Sequence, residues 1–75
     1  MADDFQFTLA KTYLDGNDEE KALDGLEMMK KLAENGNADA AFEVGLVYSE
    51  GCLVINDQEE AKKWYRLGAK LGSGA

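Results

Sequence analysis

The sequence predicts an all-α fold of four helices, arranged as two antiparallel hairpins stacked on one another, and three features carry that expectation. A ten-residue phrase occurs twice: Phe7-Thr8-Leu9-Ala10-Lys11-Thr12-Tyr13-Leu14-Asp15-Gly16 returns as Phe42-Glu43-Val44-Gly45-Leu46-Val47-Tyr48-Ser49-Glu50-Gly51, at an offset of 35. A second phrase follows each copy, with Gly25, Met28-Met29, Ala33 and Gly36 matched by Ala61, Trp64-Tyr65, Ala69 and Gly72 at an offset of 36. Proline is absent, and Gly16, Gly36, Gly51 and Gly72 close the phrases, so the expected helices end where the phrases end. Periods of this length mark repeat arrays, in which each unit buries its apolar face against the next. The change of offset by one reads as a loop after Gly16 that is one residue shorter than the loop after Gly51.

The first helix is expected from about Asp4 to Leu14, ending at Gly16. The second opens at Asn17, where Asn17-Asp18-Glu19-Glu20 places a capping side chain three residues before an acid. It ends near Asn35-Gly36, with Gly36 suited to a left-handed cap. The third opens after Asn37 and ends near Glu50-Gly51. Cys52-Leu53-Val54-Ile55 follows as a short apolar connector tucked onto the helices. The fourth opens at Asn56-Asp57-Gln58-Glu59 and runs to about Lys70-Leu71, leaving residues 73–75 as a tail. Residues 1–72 thus read as one domain of two repeats, about 5–36 and 37–72.

Helical spacing supports each assignment. Ala38, Ala41, Phe42, Gly45, Tyr48 and Ser49 share one face of the third helix, and Ala61, Trp64, Tyr65, Gly68, Ala69 and Leu71 share one face of the fourth. Ala10, Gly25, Gly45 and Ala61 are expected to be points of close helix approach. A glycine inside a helix costs about 1 kcal/mol relative to alanine, and a tight contact supplies the reason for Gly25 and Gly45. Trp64, Tyr65 and Tyr48 read as core rather than as a ligand-stacking set.

Composition narrows the function. The chain has no histidine and a single cysteine, Cys52, which removes the commonest general base, the commonest transition-metal ligand and any internal disulfide. Cys52 reads as a half-buried structural residue. Asp15, Asp18, Glu19 and Glu20 lack the alternating spacing of a calcium loop. No catalytic residue, metal or cofactor is expected, and the chain does not read as an enzyme. A net charge of −7 argues against direct nucleic-acid binding, where basic clusters dominate. No apolar run has the length of a membrane span, and the acidic start of the chain does not read as a secretory signal, so a cytoplasmic location is expected.

Ala33-Glu34-Asn35-Gly36-Asn37-Ala38-Asp39-Ala40, then Phe42, Val44, Gly45, Tyr48 and Gly51, then Glu59-Glu60-Ala61-Lys62-Lys63-Trp64-Tyr65, closely resembles the Sel-one-like repeat family, α/α relatives of the tetratricopeptide repeat. The second unit matches along nearly its whole length. The first is degenerate, with Met28-Met29 standing where Trp64-Tyr65 stand. Gly51-Cys52-Leu53-Val54-Ile55 lacks the second glycine and the proline that usually follow in this family. The resemblance implies a right-handed α/α superhelix that serves as an adaptor or scaffold for other proteins, often in bacteria. It implies no catalysis, and because the matched residues are packing residues it implies a fold without a binding site.

A binding face is therefore expected on what those residues leave free. Asp39, Glu43 and Glu50 lie along one line of the third helix, opposite Gly45. The same positions of the first helix are Asp4, Thr8 and Asp15. In the resembled family the first helix of each pair lines the concave surface, which would make these six residues an acidic groove for a basic peptide or a basic protein surface. A solvated face of an acidic protein accounts for the same residues. Two classes of function follow: an interaction module, or a compact acidic inhibitor or immunity protein that blocks a basic site on an enzyme or nucleic-acid-binding complex. All fifteen acids fall in residues 1–60, while Lys62, Lys63, Arg66 and Lys70 follow without an acid. Such cations suit a helix C-terminus. The fourth helix, with Leu67, Leu71 and part of Trp64 exposed beside them, could also support self-association.

Overall fold

A computed structural model describes residues 2–51 and 53–72, and side chains from Phe5 onward. Cys52 and the expected tail at residues 73–75 lie outside the described residues, as does the side chain of Asp4. Four helices are present, α1 (Ala2–Asp15), α2 (Glu19–Glu34), α3 (Ala38–Glu50) and α4 (Gln58–Gly72), with no strand among the described residues. The fold is all-α. α1 packs on α2 and α3 on α4, and a smaller α2–α3 contact joins the two hairpins into a slab of 38 × 31 × 13 Å.

Local chemistry explains the boundaries. The cap of α2 is Asp18 rather than Asn17: its carboxylate accepts the backbone N–H groups of Glu20 at 3.0 Å and Lys21 at 3.3 Å. A full negative charge there also meets the positive end of the helix dipole, which an amide does less well. The fourth helix repeats the choice, with Asp57 accepting the Glu60 N–H at 3.1 Å. Asn56 is used instead to close the loop, its Nδ2 donating to the Ser49 carbonyl at 2.8 Å. Asn37 caps α3 through the Ala40 N–H at 3.0 Å. Asp18→Ala is expected to cost about 1 kcal/mol, read as a lower urea midpoint with an unchanged slope.

The links differ more than the offset suggests. Three residues, 16–18, join α1 to α2, and seven, 51–57, join α3 to α4. In repeat register α2 begins three residues earlier than α4, since Ala22 corresponds to Gln58 at the offset of 36. The extra turn Glu19-Glu20-Lys21 absorbs most of the shorter link, so the phrase spacing registers a difference of only one.

Met29 and Val44 are the largest fully buried side chains, surrounded by Ala10, Leu26, Leu32, Ala33, Ala40 and Ala41. Both hairpins use the same close approach, with glycine on opposite partners. A Cβ added at Gly25 of α2 would lie 2.7 Å from the Ala10 carbonyl oxygen of α1. One added at Gly45 of α3 would lie 3.2 Å from the Ala61 carbonyl oxygen of α4 and 2.7 Å from the Tyr65 ring. Ala10 and Gly45 occupy equivalent positions, as do Gly25 and Ala61, so each hairpin meets as one alanine against one glycine. Between the hairpins, the Lys30 ammonium of α2 lies over the Tyr48 ring of α3, 5.3 Å from its centroid, where the negative face of the ring attracts a cation.

Two expectations about burial are revised. The buried side of α3 is Ala40, Ala41, Val44 and Gly45, turned around the helix from the predicted face and sharing only Ala41 and Gly45 with it, because α3 is packed by α2 and α4 on two sides. Phe42 consequently sits at the margin. One side of its ring packs against Gly68 and Tyr65, and 40% of the residue remains exposed. The aromatic residues Tyr48, Trp64 and Tyr65 are half-buried rather than interior. In the connector, Leu53 and Val54 pack on the core as expected, but Ile55 is 88% exposed. Gly51 makes this turn possible. Its φ of +69° is left-handed, and a Cβ there would meet that of Asn56 at 2.8 Å, a combination that excludes a larger side chain.

Candidate functional site

With α3 held on two sides, its free side is a narrow stripe. Asp39, Phe42, Glu43, Leu46 and Glu50 fall within about 100° of arc at 100° per residue. Phe42 and Leu46, one turn apart, are 40% and 42% exposed, so acids and apolar groups alternate along a solvent-facing line. Alongside it, α1 contributes Lys11, Leu14 and Asp15, and the connector contributes Leu53, enclosing a groove of about 260 Å³. Its apolar wall is Leu14, Leu46, Val47 and Leu53, and its carboxylates are Asp15, Glu43 and Glu50.

One cation lies among those carboxylates. The Lys11 ammonium donates to Glu43 Oε1 at 2.9 Å and stands 3.8 Å from Asp15 Oδ1 on its own helix. The hydrogen bond to Glu43 raises the Lys11 pKa above the ordinary lysine value despite partial desolvation, with the charges of Glu43, Asp15 and Glu50 adding to the effect. A raised lysine pKa means that the stabilisation is complete below the unfolded-state value and disappears as pH rises through the folded-state value. For a half-exposed pair it amounts to at most about 1 kcal/mol. Wild type and Lys11→Met should therefore differ by at most that amount at neutral pH and converge in alkaline solution, which pH-dependent urea melts would read.

Of the six residues expected to bind a partner, the groove brings together Asp15, Glu43 and Glu50. Asp39 is exposed in the first turn of α3, on the same stripe but outside the groove. Thr8 is exposed on α1, and its carbonyl accepts the Thr12 hydroxyl at 2.9 Å. Asp4 has no described side chain. Reading carboxylates alone passed over Lys11, Leu14, Leu46, Val47 and Leu53. Lys11 and Leu46 had a signal: they occupy equivalent repeat positions, three residues after Thr8 and Glu43 and four before Asp15 and Glu50, and so lie on the very lines that the acids define.

Other parts of the surface are less enclosed. Trp64 and Leu67, half-buried on α4, border a shallow apolar depression with Glu34, Glu60 and Lys63, and the Trp64 indole donates to Glu60 at 3.3 Å. At the α1–α2 link the Asp18 carboxylate is engaged as a helix cap, and no group of three or more acids among the described residues is placed to hold a metal ion. No helix among the described residues is long and apolar enough to cross a membrane. No family model, curated protein or solved structure matches this chain.

Proposed function

We propose that this chain is a protein-interaction module whose α1–α3 groove binds a partner segment carrying basic side chains next to apolar ones. The observation that carries the reading is the composition of the one stripe that packing leaves free on α3. Leu46 stands exposed there between Glu43 and Glu50, and Leu14, Val47 and Leu53 join it as the groove's apolar wall. An acidic solvated face alone would have no use for an apolar wall among its carboxylates. An apolar wall gives affinity by area removed from water, and the acids select the sign of the partner and speed its approach. The resemblance to Sel-one-like repeats, whose members act as adaptors, supports the same class of function. So does the pairing of two hairpins through equivalent small residues.

The probe is a short synthetic peptide of alternating arginine and leucine, compared with arginine–serine and glutamate–leucine peptides of equal length. Titration followed by amide NMR should shift Leu14, Glu43, Leu46 and Glu50 while leaving Lys62 and Arg66 in place. The arginine–serine peptide should bind more weakly and the glutamate–leucine peptide not at all. Leu46→Ser should weaken the first peptide by about fivefold, equivalent to about 1 kcal/mol for a half-exposed leucine. Equal binding of the serine peptide, or shifts confined to α4, would refute the proposal.

A further inference from the structure

We propose that Lys11 is an internal competitor for the groove: its ammonium occupies the place of the partner's basic side chain, and the partner binds by displacing it. The inference rests on the groove reading above and adds how that site is held when empty and what chemistry opens it. Glu43 is the less exposed of the carboxylates paired with Lys11, its side chain 23% exposed against 64% for Asp15. It is therefore the acid that most needs a cation, and Lys11 supplies one across the helix interface at 2.9 Å.

Displacement is easy for two reasons. A half-exposed lysine–carboxylate pair is worth little, up to about 1 kcal/mol. Lys11 also has a second acceptor within reach, since Asp15 lies one turn along the same helix and already stands 3.8 Å from the ammonium. When the side chain moves from Glu43 towards Asp15 it keeps an i,i+4 pair, and Glu43 is released beside the apolar wall of Leu46 and Val47. An incoming guanidinium has the advantage over an incoming ammonium. It is planar, can engage a carboxylate through two parallel hydrogen bonds, and loses less hydration on entry. Arginine followed by an apolar residue is the partner chemistry that replaces what Lys11 gives up and fills the wall beside it.

The test uses the whole chain and the arginine–leucine and lysine–leucine peptides. Lys11→Met keeps the apolar stem and removes the charge, and should bind the arginine peptide about fivefold more tightly than wild type at low ionic strength. Lys62→Met, which removes the same charge from the exposed side of α4, should change affinity by less than about twofold, because no α4 residue lines the groove and an exposed charge without direct contact contributes little. Wild type should prefer the arginine peptide to the lysine peptide. In wild type the ε-methylene resonance of Lys11 should shift saturably with added peptide, a readout that needs no variant to fold. Unchanged or weaker binding by Lys11→Met, or equal tightening by Lys62→Met, would overturn the inference while wild-type binding leaves the groove reading intact. Absence of binding by both wild type and Lys11→Met would remove the groove reading and the inference together.

Discussion

Gly25→Ala is expected to destabilise the fold by about 2 kcal/mol, although alanine is the better helix former. The new methyl would lie 2.7 Å from the Ala10 carbonyl oxygen, 2.9 Å from the Tyr13 Cβ and 3.1 Å from the Leu14 backbone nitrogen. Two of these are backbone atoms of α1 and the third is anchored directly to it, so none can rotate away. Relief requires α1 and α2 to separate, at an overpacking cost of up to about 3 kcal/mol, from which the gain in helix propensity recovers about 1 kcal/mol. A domain of this size is stable by roughly 4–11 kcal/mol, so the loss is a substantial part of the whole. Urea unfolding would show it as a midpoint lower by about 2 M at a slope near 1 kcal/mol/M. Gly45→Ala should cost less, because its closest neighbour is the Tyr65 ring edge at 2.7 Å, which can swing. An unchanged or higher midpoint for Gly25→Ala would mean that the first hairpin does not close as described.

The same contact shows how much of the fold could be read in advance. Repeated phrases located the four helices, the two hairpins and the small-residue contacts, because helix ends and close approaches depend on one or two side chains that a sequence displays directly. Where the outcome depended on competition between neighbours, the reading was less sharp. Asp18 and Asp57 displaced Asn17 and Asn56 as caps, since a carboxylate gains from the helix dipole what an amide cannot. Phe42 has the spacing of a core residue, yet lies at the margin because α3 is gripped on two sides and its inner positions are filled by alanine, valine and glycine. The link lengths were hidden by an extra turn of α2 that nearly cancels the missing loop residues in the offset.

The candidate site was legible in the same partial way. Its carboxylates Asp15, Glu43 and Glu50 stood out as a line of like charge. The groove's remaining character comes from which helices touch. Lys11 and Glu43 are 32 positions apart and become a pair only when the two hairpins stack. Leu53 lines the groove from the connector that follows the left-handed Gly51. A single chain's periodicity identifies faces, and tertiary packing decides which of them are left uncovered.

Reversing two of those carboxylates should weaken binding about 100-fold without unfolding the protein. Glu43→Lys with Glu50→Lys removes two attractions and installs two repulsions at the apolar wall. At about 1 kcal/mol per half-exposed charge pair lost, with repulsion adding a similar amount in total, the arginine–leucine peptide should bind about 100-fold more weakly at low salt, or roughly 3 kcal/mol. Stability should fall by about 1 kcal/mol, since the ion pair forfeited among the described residues is the half-exposed contact with Lys11. Wild-type affinity should decline as salt rises past the concentration where screening reaches the length of the groove, and the residual affinity at high salt should be the part that Leu46→Ser removes. Asp39→Asn, on the same stripe but outside the groove, should alter affinity by less than about threefold. If the glutamate–leucine peptide bound instead, and Lys62→Glu with Arg66→Glu abolished that binding, the operative surface would be the basic face of α4 and the partner would have to be acidic. The sign of the charge that must be reversed therefore identifies the partner's own chemistry before the partner is known.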